Sequence, residues 1–366
     1  MVRSKKIRIY PKPESKNTLN KYTGLSRYWY NKAIEYLKQA GTKAVLKEVR
    51  QIQKCEHPEW AFDCPQRIRE HAMADACQAV KAAKLKFKKT KQIQKVKFKA
   101  KKDAIQGFGF DAQSLKANFV FNPKHRGFFY ATENFNASLE GTRIVREDNR
   151  WFLIVPQQIV IKIPDNQRDL VVSLDPGVRT FITFYSTKLH GKIGEGDFQR
   201  IFRLCLCLDQ LVSKRSKGKC KARRNINKAM QRLRWKIYDL IDELHKKTAS
   251  FLVRSFENIL IPTFETSQMS RKLHSKTARS MLTFAHYRFK QFLKAKAEEY
   301  SANVVEVSEA YTSKTCSYCG KIHNIGSKKL LKCSCNARID RDINGARGIL
   351  LRALTVTSRQ EIVGNC

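Results

Sequence analysis

Negative charge is what this sequence has least of in proportion: 32 Asp and Glu stand against 72 Lys and Arg, a net charge of +40 at pH 7. A chain so short of acids carries a strongly positive field, and that field calls for a polyanion. Nucleic acid is the commonest polyanion, because each phosphate neutralised releases condensed counterions. The excess is spread along all 366 residues, which favours nucleic acid over a merely solubilising surface or an anionic membrane face. Long apolar runs are missing as well. No stretch of 18 or more residues is continuously apolar, and the opening MVRSKKIRIYPKPESK lacks the apolar core of a signal peptide. These absences predict a soluble intracellular protein. The pattern of a secreted disulfide framework is absent too, since eleven cysteines are an odd number, unevenly placed. Reduced thiols with a metal site fit better.

What is present falls into blocks, and the 42% apolar content is enough for two or three domains with real cores. KIRIY, residues 6–10, alternates as a short strand closed by Pro11 and Pro13. LSRYWYNKAIEYLKQAG places Leu25, Trp29, Ile34 and Leu37 on one helix face. Residues 64–92 continue the helical pattern, with Ile68, Ala72, Ala76, Ala79 and Ala83 forming a small-residue face suited to close packing. That helix runs into KAAKLKFKKTKQIQKVKFKAKK, residues 81–102, where cations alternate with Leu85, Phe87, Val96 and Phe98. Such a run is either a solvated helix end or a phosphate-binding face.

From Gly107 to residue 163 the texture changes to period two, which predicts a small antiparallel sheet or barrel. The N-terminal strand is expected to join it, leaving the helical module inserted between. Then come a buried run ending at Asp175, the strand TFITFYS, and a basic helical stretch over 199–255 containing the cluster SKRSKGKCKARR. The strand NILI at 258–261, a helix at about 278–299 and the strand NVVEV at 303–307 complete an α/β pattern with a mixed sheet.

CSYCGKIHNIGSKKLLKCSC offers Cys316, Cys319, Cys333 and Cys335 as two close pairs. Paired thiolates of this kind fold as two knuckles around one tetrahedral zinc, a closed and therefore structural site. The second pair is Cys-x-Cys where Cys-x-x-Cys is usual, so His323 is an alternative fourth ligand. Directly after it, IDRDINGARGIL supplies Asp340 and Asp342, either of which could simply cap a helix.

These segments, in this order, resemble the transposon-encoded TnpB proteins, their eukaryotic and viral relatives the Fanzors, and type V CRISPR effectors, the Fanzor branch most of all. SLDPGVRTFIT resembles the first nuclease motif of that family, DELHKKTASFLVRSFENILI the helix leading to the second, and TSKTCSYCG with CSCNARIDRDINGARGI the zinc ribbon running into the third. The likeness covers residues 166–350 well, and the first hundred only in outline, through SRYWYNKAIEYL.

The resemblance implies a multidomain α/β protein. Its RNase H-like (RuvC) nuclease domain would span 166–311 and 339–366, with the zinc ribbon at 312–338 inserted. A β-barrel wedge domain at 1–15 and 103–165 would be interrupted by a helical recognition module at 16–102. Three acids would share two magnesium ions, since two divalent cations about 4 Å apart suit phosphodiester hydrolysis and hard oxygen ligands suit magnesium. The first acid maps to Asp175 and the third to Asp342, with Asp340 ranked behind it. The middle acid departs from the bacterial pattern: Pro262 stands where TnpB proteins have Glu after the strand. Glu309, Glu265 and Glu257 are the candidates to replace it. Period-two counting sets Glu309 in phase with Val305 and Val307 and Glu306 opposite. Fanzors resemble this arrangement, with a displaced glutamate about that far downstream, which favours Glu309.

The same resemblance implies a guide RNA encoded beside the gene, double-stranded target DNA next to a short adjacent motif, and a monomeric protein in a ribonucleoprotein. Lys84, Lys88, Lys89 and Lys91 are candidates for nucleic-acid contact, as are Lys214, Arg215, Lys217, Lys219, Arg223 and Arg224. Tyr28 and Tyr30, flanking Trp29, are candidates to stack on bases, although such aromatics are more often core residues. A catalytically inactive transposon regulator and an unguided nuclease are the competing readings. Loss of the bacterial glutamate points to a eukaryotic or viral source and hence the nucleus, against a bacterial cytoplasm. KRSKGKCKARR then suits an import signal.

Overall fold

A computed structural model of the protein describes residues 2–363 apart from 117–118, 121–126, 136–139, 165–166, 264–282, 309–311, 313 and 325–327. The chain divides into two compact units, Met1–Ile159 and Val160–Cys366.

In the first unit β1 (Val2–Pro11) passes into α1 (Pro13–Leu37), with Pro13 at the helix start, where its missing N–H has no intrahelical acceptor to lose. A short α2 (Leu46–Val49) and a long α3 (Gln66–Thr90) follow. Six further strands are β2 (Ile105–Gly109), β3 (Leu115–Lys116), β4 (Phe119–Val120), β5 (Gly127–Ala131), β6 (Arg143–Glu147) and β7 (Arg150–Gln158). They form an antiparallel sheet in the order β2-β6-β7-β1-β5-β4-β3. The N-terminal strand therefore lies inside the sheet, pairing Ile7 with Leu153 and Ile9 with both Trp151 and Ala131.

Helix α1 serves two cores. Leu19, Tyr22 and Leu25 in its first half pack with Ile7, Ile9 and Leu153 of the sheet. Trp29, Ala33 and Ile34 in its second half pack with Ala72, Met73 and Ala76 of α3, so the small residues of α3 do permit a close helix pair. The segment after α3 is drawn back onto α1, because the Asn31 side chain donates to Lys99 O (2.9 Å) and accepts from Lys99 N–H (2.8 Å).

The second unit is built on β8 (Asp169–Pro176), β9 (Ile182–Tyr185), β10 (His190–Ile193), β11 (Phe256–Pro262) and β12 (Asn303–Val307). Their order is β10-β9-β8-β11-β12, antiparallel through β8 and parallel from β8 to β12. The basic stretch expected as one helical region is two helices, α4 (Asp197–Lys217) and α5 (Cys220–Ser255), separated where Gly218 takes an extended conformation. β10 was not expected, since HGKI has neither an apolar alternation nor a β-branched run. α6 (His286–Glu299) precedes β12, and a hairpin of β13 (Leu330–Lys332) and β14 (Arg338–Asp340) runs straight into α7 (Arg341–Val363).

Side chains of β8 alternate between the two faces of the sheet. Val172 and Leu174 are buried against α5 and α6, with Leu252, Val253, Phe289 and Leu293 in the same core. Ser173 points the other way, to α7, and its hydroxyl donates to Ala346 O (2.6 Å). No described helix is long and apolar enough to cross a membrane.

Candidate active site

Asp175 lies in the last two residues of β8, on the Ser173 side of the strand. This is the end of the sheet where all three parallel strands stop, and the direction of strand order reverses at β8, the usual place for a site in an open α/β sheet. The chain then turns sharply. Gly177 N–H donates to Phe181 O (3.2 Å), and a Cβ at Gly177 would meet Thr180 O at 2.7 Å, so only glycine fits the turn. His286, the first residue of α6, holds the same turn from outside by donating from Nε2 to Gly177 O (3.1 Å). Its imidazole stacks on Phe181, which also stacks with the ring of His245. Burial pushes the pKa of both imidazoles down to about 4, which keeps them neutral.

Helix α7, which carries Asp342, comes to Asp175 at Gly345. A Cβ built at Gly345 would stand 2.5 Å from Asp175 Oδ2, so the carboxylate rests directly against the glycine backbone. Asp342 is one helical turn earlier on the same helix, and residues three apart share a face. Asp340, ranked second, has a different job. Its Oδ1 accepts the N–H groups of Asp342 (2.9 Å) and Ile343 (3.3 Å), and its Oδ2 accepts from Lys192 Nζ (2.8 Å), so it caps α7. Partial burial opposes its ionisation. The Lys192 ammonium and the two backbone donors outweigh that and hold its carboxyl below the usual aspartate range.

For the middle acid, β11 ends at Pro262, which pairs with Val307 of β12 and is buried. Leu260 is level with both Ser173 and Val305, so the Val305 and Val307 side of β12 is the Ser173 and Asp175 side of the sheet. Glu306 faces the other way and is bound by Lys290 (2.9 Å) and Lys294 (2.6 Å) of α6, which lower its pKa. Glu257 sits near the start of β11, level with Leu170 by register and so about 16 Å down the sheet from Asp175. It is too far away to share an ion with Asp175. Glu309 and Glu265 lie outside the described residues.

Beside this site the sulfurs of Cys316, Cys319, Cys333 and Cys335 lie within 4.8 Å of one another. Cys316 and Cys335 sulfurs are 3.8 Å apart and those of Cys319 and Cys333 3.4 Å. Zinc–sulfur bonds of about 2.3 Å set tetrahedral sulfurs about 3.8 Å apart, so the quartet fits one zinc ion. Each knuckle closes on a left-handed residue after its second cysteine, Gly320 in one and Asn336 in the other. His323 is not a member of the quartet; its Nε2 is 3.1 Å from Cys333 Sγ, an orienting contact. The backbone N–H of Cys335 and the neighbouring donors pull the Cys333 thiol down to about 5, towards the thiolate a metal requires.

Asn344 ties this ribbon to α7. It is fully buried, accepts Ser317 N–H (3.0 Å) and donates to Thr315 O (2.8 Å). The residue beside the glycine that receives Asp175 is thus the residue that fixes the metal knuckle.

The candidate cations Lys84, Lys88, Lys89, Lys91, Lys214, Arg215, Lys217, Lys219, Arg223 and Arg224 are all exposed. Lys88 and Lys89, and likewise Lys214, Arg215 and Lys217, also occupy last turns of helices, where positive charge offsets the helix dipole. The stacking role of Tyr30 is corrected. Tyr30 is 6% exposed with Lys99 Nζ 4.0 Å over its ring, and Trp29 is fully buried. Tyr28 alone of the three reaches an open cavity. Sequence reasoning missed Lys192, His286 and Trp60, none of which stands in a motif. Gly345 carried a signal, an isolated glycine inside a helical pattern.

Comparison with known proteins places these features. Residues 286–349, from α6 through the ribbon into α7, match the family model described as Cas12f1-like, TNB domain, and residues 1–43 match a Helix-turn-helix domain model. Protein A625R of Paramecium bursaria Chlorella virus 1, provisionally named a transposase, is 28% identical over 99% of this chain and 89% of its own. TnpB-like protein L79 of Acanthamoeba polyphaga mimivirus is 25% identical over 95% of this chain and 73% of its own. The chain is similar to TnpB-like proteins along nearly its whole length and, over residues 286–349, to Cas12f1-like proteins. InsQ of Escherichia coli strain K12, provisionally named an RNA-guided DNA endonuclease, is another relative, 22% identical over 98% of this chain and 94% of its own. In this protein the segment matched as helix-turn-helix contains one strand and one long helix, β1 and α1. The TNB match covers the cysteine quartet, Asn344, Gly345 and Asp342 together.

Proposed function

We propose that this protein is an RNA-guided DNA endonuclease with an RNase H-like (RuvC) nuclease centre. The observation that carries the reading is the approach of Asp175 Oδ2 to Gly345, which brings a carboxylate from β8 within one helical turn of Asp342. The 3-2-1-4-5 strand order, antiparallel and then parallel, supports the same fold reading. Asp175 and Asp342, with Glu309 as third member, would hold two magnesium ions. A bound ion pair would supply activated water and a stabilised leaving oxygen. The chain's own part is positional. His286 and the Gly177–Phe181 turn set Asp175, Asp340 and Lys192 set the first turn of α7, and the zinc-binding quartet anchors that turn through Asn344.

A protein of charge +40 can hold a guide RNA and still attract duplex DNA, with the guide supplying sequence recognition by pairing. We assign the protein as a monomer in that ribonucleoprotein, and the exposed Lys214, Arg215, Lys217, Lys219, Arg223 and Arg224 are consistent with nuclear import. The test is purification with its co-purifying RNA, followed by incubation with guide-matched DNA and magnesium. RNA of one discrete size and cutting abolished by Asp175→Ala, Asp342→Ala and Glu309→Ala are expected, with RNA retained in all three. Absence of bound RNA, or cutting that needs none, overturns the guided reading. Pro262 at the end of β11 favours one second reading, a catalytically inactive binding protein. Matched DNA bound but left whole by the wild-type complex would establish it.

A further inference from the structure

The first unit contains a cavity of about 400 Å³ along the solvent side of α1, bounded by Lys21, Gly24, Arg27, Tyr28 and Trp60. Three features of it point to an occupant. Trp60 is 51% exposed, whereas Trp29, Trp151 and Trp235 are 0%, 2% and 9% exposed, so one indole in four is left out of any core. Gly24 sits in the interior of a 25-residue helix, where glycine weakens the helix relative to alanine. Packing does not require it there: the nearest atom to an added Cβ would be Arg27 NH2, at 3.9 Å. The missing side chain therefore serves to keep the wall of the cavity open.

The third feature is that the aromatic wall is fixed in place. Tyr28 packs edge-on to Trp60 with ring centroids 4.9 Å apart. Its hydroxyl donates to His57 Nδ1 (2.9 Å), and His57 donates from Nε2 to Ile52 O (2.7 Å), which settles both the tautomer and the ring position. On the rim, Arg27 donates to the neutral Gln106 (2.6 Å), while Lys21 is paired with Asp63 (2.8 Å). A flat exposed ring, a preset second ring, an open backbone wall and one anchored guanidinium are what an unpaired nucleotide requires: a base to stack and a phosphate to meet a cation.

We propose that this cavity is a nucleotide subsite, in which one unpaired base of a single-stranded segment stacks on Trp60 and its phosphate contacts Arg27. The proposal rests on the nucleic-acid reading above but on no feature of the nuclease centre. It is tested with the full-length protein, titrated with a fifteen-nucleotide oligouridylate and with oligothymidylate of the same length, while tryptophan emission and affinity are followed. Because the other indoles are buried, quenching on binding reports Trp60. Trp60→Ala is expected to abolish the quenching and weaken binding about tenfold, the worth of one base stack. Gly24→Leu, which fills the cavity without removing a contact of the core, is expected to weaken binding to a similar degree with a melting temperature that is not lowered. The oligomer that loses more affinity identifies the segment as RNA or DNA. Wild-type affinity in both variants, with the wild-type protein itself binding, overturns the subsite and leaves the nuclease reading intact. Failure of the wild-type protein to bind either oligomer overturns both.

Discussion

At Gly345 a single added carbon would stand 2.5 Å from Asp175 Oδ2, closer than any ordinary contact, so Gly345→Ala forces that carboxylate to move. Alanine also favours the helix by up to about 1 kcal/mol, so the fold should survive. The expected result is a fall in cutting of about 100-fold with RNA binding and melting temperature little changed, read from cleavage time courses of the two purified complexes. His286 acts at the next remove. Its Nε2 donor fixes the Gly177 carbonyl two residues beyond Asp175, and it is delivered by Ala285 in a left-handed conformation at φ +50, which costs about 1 kcal/mol. His286→Phe should raise the magnesium concentration needed for half-maximal cutting, and His286→Gln, which keeps an amide donor, should restore part of it. Equal behaviour of the two variants would remove the positioning role.

On the scale of elements, the ribbon and α7 behave as one piece, because the fully buried Asn344 joins them through two hydrogen bonds. Asn344→Ala leaves Ser317 N–H and Thr315 O without that partner and should cost about 3 kcal/mol, measurable by denaturant unfolding. Cys316→Ser should likewise lower the melting temperature rather than slow a chemical step. Unchanged melting with slowed cutting would contradict a structural role for the quartet. The strand NILI was readable because it lies between β8 and β12, is buried on both faces and leaves a continuous apolar run, and NVVEV because of its β-branched valines. β10 was not, since its place at the sheet edge beside β9 asks little of its side chains. The break at Gly218 was hidden for a related reason: both flanking helices are basic, and periodicity runs on through one residue.

Taken whole, the molecule has two levers that solution conditions can move. His245 and His286 have pKa values near 4 in the folded protein and ordinary values near 6.5 when unfolded. As pH falls from 6.5 towards 4 the unfolded chain takes up protons that the folded one refuses. Stability is therefore full above 6.5, declines through that window by up to about 3 kcal/mol per histidine, and loses nothing further to these groups below it. Thermal melts at pH 7.5 and 5 should show the drop, and His245→Gln should flatten it. The second lever is salt. With a net charge of +40, binding of nucleic acid should weaken roughly 1,000-fold or more between 50 and 200 mM salt, checked by titrations at several ionic strengths.

The sequence by itself determined the properties that are local or additive. The net charge is a sum, the four cysteines fall within twenty residues, and Asp342 stands on the turn that follows them, so each could be read along one line. Only the tertiary structure decided that Asp340 caps the helix that carries Asp342, that Glu257 lies at the far end of its strand from Asp175, and that Asp175 meets α7 at a glycine. Those outcomes depend on strand register and on how closely a helix backbone approaches a sheet. Such distances are set by packing between residues far apart in the chain, and no pattern of neighbours records them.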